Sequence, residues 1–314
     1  MTTESTRRVK IAVAGGGTGG HVLPAIAVVD ELRRRDAIGD LLWIGSETGV
    51  EREVAHDANI SFAAIPTGKL RRYFSLQTGV DAARVPMGIV QARRLLRSFR
   101  PDVIFSTGGF VSVPTVLAAR GLAPVLSHEQ TAILGLANRI NARFAAVLAL
   151  SYPETEAAAR GRGPRVAITG NPVRASLRAG DRARGFARWD FDPNLPLVYV
   201  TGGARGASPI NQRVAALVPD LLSRCQILHQ TGPASANDDL AWLTAARESW
   251  PGQLRNRYRP VEFIRDELPD AYAAASLVVG RAGAGTVAEL AYVGRPSVLI
   301  PLPRAGGDEQ TRNA

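Results

Sequence analysis

The stretch Val9-Lys10-Ile11-Ala12-Val13-Ala14-Gly15-Gly16-Gly17-Thr18-Gly19-Gly20-His21 decides how the chain folds. An apolar, β-forming run enters a turn of five glycines around one threonine, and Pro24–Arg35 follows with Ala27, Val28 and Leu32 at helical spacing. Strand, glycine turn and helix in that order open a parallel α/β unit. Glycines let the backbone come close to a bound anion, and the N–H groups at a helix start supply donors and partial positive charge. The loop therefore has the makings of a phosphate cradle.

Outward from it, short apolar runs alternate with helical spacings. Strands are predicted at Leu41–Ile44, Ile60–Ile65, Val103–Ser106, Val125–Ser127 and Ala146–Leu150, with a long arginine-rich helix at Asp81–Phe99. A second set begins at Leu197–Thr201, again strand, glycines and helix, and continues through strands at Gln226–Gln230, Val261–Phe263, Leu277–Gly280 and Ser297–Pro301. The echo predicts an α/β protein of two Rossmann-like domains facing each other across a cleft. Gly161, Gly163, Pro164, Gly170 and Pro172 crowd the boundary, giving domains at 1–165 and 166–314, the second expected to be truncated at its C-terminus.

Composition excludes several classes. With 46% hydrophobic and 21% charged residues in 314, the chain is neither disordered nor fibrous. The single cysteine, Cys225, rules out an intramolecular disulfide, and no zinc cluster can be assembled from it and four scattered histidines. No apolar run reaches the length of a membrane span, and the first residues have no signal-peptide pattern. Residues 1–178 carry 23 Lys and Arg against 14 Asp and Glu, whereas 179–314 carry 15 against 14. Basicity concentrated in the first half suggests a polyanionic partner, either phosphates or an anionic membrane surface. No nucleic-acid-binding signature accompanies it.

Leu70, Arg71, Arg72, Tyr73, Phe74 and Leu76 combine bases with apolar and aromatic side chains, a pattern for a membrane interface. The strand Leu41–Ile44 ends at Gly45-Ser46 without the carboxylate that a dinucleotide ribose needs, and no Walker lysine is present. His21, in the first turn of a helix, either takes a proton from a hydroxyl nucleophile or merely bonds its own loop. His128-Glu129-Gln130 either lines a cleft or fixes its turn, while His56 and His229 read as structural. Ser106–Phe110, Gly202–Ser208 and Gly280–Thr286 are further glycine turns after strands. Glu289 either accepts a ribose diol or complements a helix N-terminus, and Arg174 is suited to clamping a phosphate. Carboxylates near these loops form no Asp-x-Asp metal cage.

The ordered series Gly16–His21, Gly108-Gly109-Phe110, His128-Glu129-Gln130, Gly170–Arg174, Gly202-Gly203, Gly283–Glu289 and Asp308-Glu309-Gln310 resembles glycosyltransferase family 28, the peripheral-membrane GT-B enzymes of bacterial peptidoglycan synthesis. The resemblance runs from about residue 9 to the last. It implies inverting transfer of N-acetylglucosamine from UDP-GlcNAc to the muramoyl 4-hydroxyl of lipid I, a lipid-linked muramoyl-peptide pyrophosphate, giving lipid II at the cytoplasmic face of the cell membrane, with no cofactor and no metal. It places Thr18, Gly19, Gly20, Thr131, Arg174, Ala204, Ile264, Ala284, Gly285, Thr286, Val287, Ala288, Glu289 and Gln310 around the donor. Ile264 would hold the uracil through its backbone and Glu289 the ribose. Gly16, Gly17, Gly108, Gly109 and Phe110 would face the acceptor pyrophosphate, with His21 as catalytic base and Glu129 in reserve.

Three positions depart from the family pattern: Thr131 for an asparagine, Ala204 for a serine and Thr311 for a glutamine. Each removes or alters a polar group near the expected donor, a change worth roughly 0.5 to 1.5 kcal/mol per hydrogen bond. The alternative they leave open is a related GT-B transferase using a different glycolipid or small-molecule acceptor. A nicotinamide oxidoreductase and an inactive sugar-binding module are the competing classes.

Overall fold

The computed structural model describes residues 8–68, 76–161, 163–303 and 308–314, with residues 76–83 described by backbone alone. It divides into two compact units, Met1–Arg174 and Ala175–Ala314. Of the expected membrane residues, Leu70, Arg71, Arg72, Tyr73 and Phe74 lie outside the described residues.

The first unit runs β1 (Val9–Gly15), α1 (Gly19–Arg34), β2 (Ile38–Ser46), α2 (Glu51–Asp57), β3 (Ser61–Ile65), α3 (Leu76–Phe99), β4 (Val103–Gly108), α4 (Ser112–Ala118), β5 (Val125–Glu129), α5 (Leu136–Asn141), β6 (Val147–Leu150), α6 (Glu156–Ala159) and β7 (Arg165–Ile168). Its seven strands are parallel in the order β3-β2-β1-β4-β5-β6-β7. Both faces of such a sheet are covered by helices, so a central strand is apolar throughout. In β1, Ile11 and Val13 pack with Val22, Ile26, Trp43 and Phe105 on one face, while Ala12 and Ala14 pack with Ile44, Leu96, Ile104 and Val116 on the other.

The expected boundary at residue 165 is corrected by β7. Arg165–Ile168 pairs with β6, so the first unit continues to Arg174. Its exposed ends and edge position give it none of the apolar continuity that marks the inner strands.

The second unit contains α7 (Arg182–Arg188), β8 (Leu197–Thr201), α8 (Ser208–Leu221), β9 (Gln226–Gln230), α9 (Asp239–Glu248), α10 (Gly252–Asn256), β10 (Tyr258–Val261), α11 (Leu268–Ala274), β11 (Leu277–Gly280), α12 (Ala284–Val293), β12 (Ser297–Leu299) and α13 (Glu309–Asn313). The sheet order is β10-β9-β8-β11-β12, again parallel.

In each sheet the chain leaves its first strand in one direction and returns to that strand's other side. The first reversal falls between β1 and β4, where Gly15 pairs with Gly108, and the second between β8 and β11, where Thr201 pairs with Gly280. Helices diverge to opposite faces at such a switch point and leave a crevice at the carboxyl ends of the strands. All four glycine turns follow these four strands.

Candidate active site

The first unit's site grows from the ends of β1 and β4. Thr18 is extended and caps α1, so His21 stands in the first helical turn, earlier than the expected start at Pro24. His21 Nδ1 lies 2.9 Å from the Thr107 carbonyl. A carbonyl oxygen only accepts, so Nδ1 carries the proton of the neutral ring and Nε2 keeps its lone pair. The same carbonyl accepts from Gln130 Nε2 at 2.6 Å, which fixes the peptide that orients the imidazole. Gly109 lies against the ring at positive φ; a Cβ there would stand 2.7 Å from the Gly16 carbonyl and 3.4 Å from His21 Nε2. Gly17 is held as closely by the Phe110 ring. Thus Gly16, Gly17, Gly109, Phe110 and His21 form one packed group.

Glu51, at the start of α2, escaped the sequence reading. It is fully buried, and its carboxylate accepts from Gly17 N–H at 2.9 Å, Ser46 N–H at 2.8 Å and Ser46 Oγ at 2.6 Å. A carboxylate opening a helix reads in sequence as a dipole partner. Only the return of β2 beside the glycine loop shows that it braces that loop.

Glu129, expected in reserve as base or for acceptor positioning, is engaged by its own loop. It ends β5 rather than following it, is 3% exposed, and accepts from Thr131 N–H at 3.2 Å, Gly135 N–H at 2.9 Å and Asn138 Nδ2 at 3.0 Å. Thr131 Oγ1 lies 2.9 Å from the same carboxylate and 2.7 Å from the Ile133 carbonyl, so its hydroxyl also serves the loop. Both carboxylate oxygens are thereby committed to loop 130–135. His128 Nε2 lies 3.1 Å from the Gly170 carbonyl, and burial pushes its pKa down, keeping the ring neutral. Arg174 closes the unit, and its charge reaches Asp30 on α1, whose carboxyl is pushed up by burial against the pull of Arg33 and Arg174.

In the second unit, Glu289 lies in α12 with Tyr272 OH donating to its Oε2 at 3.1 Å, and Tyr272 packs edge-on against Tyr199 with centroids 5.9 Å apart. Gly283 caps α12, so Ala284, Gly285, Thr286, Val287 and Ala288 form its first turns. Ile264 N–H donates to Gln230 Oε1 at 3.0 Å. Ala204 lies exposed in the turn after β8, and Gln310 Oε1 accepts from Leu302 N–H at 2.8 Å. These donor candidates follow β8, β10, β11 and β12 in the chain.

Residues 11–149 match the glycosyltransferase family 28 N-terminal domain, and residues 197–314 match its C-terminal domain. The chain belongs to glycosyltransferase family 28. A Treponema pallidum (strain Nichols) relative is 40% identical over 97% of this chain and 79% of its own length, and is named "UDP-N-acetylglucosamine--N-acetylmuramyl-(pentapeptide) pyrophosphoryl-undecaprenol N-acetylglucosamine transferase". A Lachnospira eligens relative with that name is 38% identical over 97% of this chain and 82% of its own. The crystal structure of Acinetobacter baumannii MurG matches with a TM-score of 0.67 and 29% identity, covering 97% of this chain and 81% of that one. The fold is GT-B, and the protein is a glycosyltransferase.

Beneath the third glycine turn of this family 28 chain lies a buried polar network around His229. Tyr258 OH lies 2.8 Å from His229 Nδ1, His229 Nε2 lies 3.0 Å from Asn211 Oδ1, and Asn211 Nδ2 donates to Asp239 Oδ2 at 2.7 Å. Asp239 also accepts from Ser208 Oγ at 2.6 Å, tying the start of α8 to α9. Burial pushes the His229 pKa down to about 4, against an ordinary 6.5. The unfolded chain therefore binds a proton that the folded one refuses, and stability falls as pH drops from about 6.5 toward 4. Urea titrations across that window should show the loss, and His229→Gln should flatten it. Equal slopes in the two proteins would mean His229 is not the group being titrated.

Proposed function

We propose that this chain transfers N-acetylglucosamine from UDP-GlcNAc to the 4-hydroxyl of the N-acetylmuramoyl sugar of lipid I, giving lipid II with inversion at the anomeric carbon. The observation that carries the reading is the His21 imidazole, with Nδ1 held as donor and Nε2 beside Gly109, in a chain 40% identical to a transferase of that name. Inversion needs one displacement. The acceptor O4 forms its bond to C1 as His21 Nε2 takes the hydroxyl proton, and the bond from C1 to the β-phosphate oxygen breaks with its electron pair leaving on UDP. N–H groups of the Gly202–Ser208 turn and the N-terminus of α12 stabilise the charge that develops on the diphosphate. Glu289 holds the ribose diol, Ile264 the uracil, and Gln310 the sugar hydroxyls. Gly16, Gly17, Gly108, Gly109 and Phe110 face the acceptor pyrophosphate.

The reading includes a membrane surface on the cytoplasmic side, where a lipid-linked acceptor is met. It is supported by the exposed stripe of α3, on which Met87 (58% exposed) and Val90 (53% exposed) lie between Arg84 on one side and Arg94 and Arg97 on the other. Arginines near an anionic surface contribute about 1 kcal/mol each. No helix among the described residues is long and apolar enough to cross a membrane. The deciding experiment supplies radiolabelled UDP-GlcNAc and lipid I in anionic or neutral vesicles and quantifies label in the lipid product. Anionic vesicles should give more product, and less at high salt. Hydrolysis of the sugar nucleotide without labelled lipid II would overturn the assignment of the acceptor.

A further inference from the structure

Gln230 is the last residue of β9 and is 3% exposed. Its side-chain amide is saturated in both directions. Oε1 accepts from Tyr199 OH at 3.1 Å and Ile264 N–H at 3.0 Å, while Nε2 donates to Thr201 Oγ1 at 3.1 Å and to the Gly203 carbonyl at 3.1 Å. Thr201 Oγ1 accepts in turn from Gly203 N–H at 3.0 Å, so the third glycine turn is held from two sides. A primary amide has two acceptor sites and two donors, and here all four are used inside the protein.

We infer that Gln230 is a positioning residue for donor recognition, fixing the distance between the Ile264 peptide and the Gly202-Gly203 turn so that base and phosphates of one nucleoside diphosphate are met together. The inference rests on the donor reading given above. Neither the base-facing peptide nor the phosphate-facing turn can shift without leaving a buried polar group unpaired, which is strongly disfavoured. The two arms are chemically separable. Gln230→Glu keeps an oxygen for Ile264 N–H but sets a second oxygen against the Gly203 carbonyl, so it releases the phosphate arm alone. Thr201→Val, β-branched and fitting the same strand, removes the hydroxyl that holds Gly203 and leaves Gln230 in place.

The test is calorimetric titration of the wild type and both variants with UDP and with uridine, beside circular dichroism to establish folding. In Gln230→Glu the Kd for UDP should rise at least about tenfold while that for uridine changes less than about threefold, so that the affinity ratio collapses. Thr201→Val should lower the ratio in the same direction, and it decides the matter if Gln230→Glu does not fold. Proportional weakening of both ligands, or an unchanged ratio in a wild type that binds UDP, overturns the positioning role. A wild type with no affinity for UDP would instead remove the donor reading, and this inference with it.

Discussion

His21→Ala lowers kcat by at least about a hundredfold, equivalent to about 2.7 kcal/mol of barrier, and leaves the Kd for UDP nearly unchanged. The expectation follows from the way the ring is held. With Nδ1 turned to the Thr107 carbonyl at 2.9 Å, the neutral imidazole has one nitrogen available as base, and Gly109 brings the acceptor loop against it. The uracil, ribose and diphosphate of UDP are assigned to Ile264, Glu289 and the start of α12 in the second unit, so truncating His21 should spare UDP. His21→Gln is a sharper control, because its amide can replace the hydrogen bond to Thr107 but cannot take the acceptor proton. Both variants should lose turnover at saturating lipid I. Near-normal kcat in either one would make His21 a loop residue and leave the base unassigned.

The periodicity of Val9–Ala14, the glycine turn and the echo at Leu197 were sufficient for the fold class, because inner strands of a parallel sheet are apolar without a break. β7 was not legible, being four residues long at an edge, with Arg165 and Ile168 exposed amid glycines and prolines. Nor was α9, whose polar residues Asp239 and Trp242 are consumed by internal hydrogen bonds that no spacing announces. The candidate site divides the same way. Glycine turns and His21 carry their chemistry in their type and place, whereas Glu51, Glu129 and Gln230 differ from ordinary polar residues only in their partners. Glu129 illustrates the ambiguity, since a carboxylate ending a strand reads alike as a base or as a clamp until its partners Thr131, Gly135 and Asn138 are known.

Glu51→Ala should destabilise the first unit by at least about 3 kcal/mol, since it leaves Ser46 N–H, Ser46 Oγ and Gly17 N–H buried without their acceptor, each at about 1 to 3 kcal/mol. For a domain of this size that corresponds to a fall of roughly 6 to 12 °C in melting temperature. Glu51→Gln distinguishes bracing of the loop from general stability. Its carbonyl oxygen can keep the two Ser46 donors, but its NH2 then faces the Gly17 N–H, two donors opposed. That variant should melt between Glu51→Ala and the wild type, because only the Gly17 donor loses its acceptor, while KM for the lipid acceptor rises about tenfold, because Gly16 and Gly17 no longer hold the shape that Gly109 and Phe110 pack against. A melting temperature unmoved in Glu51→Ala, or an acceptor KM unmoved in Glu51→Gln, would separate Glu51 from the loop it touches.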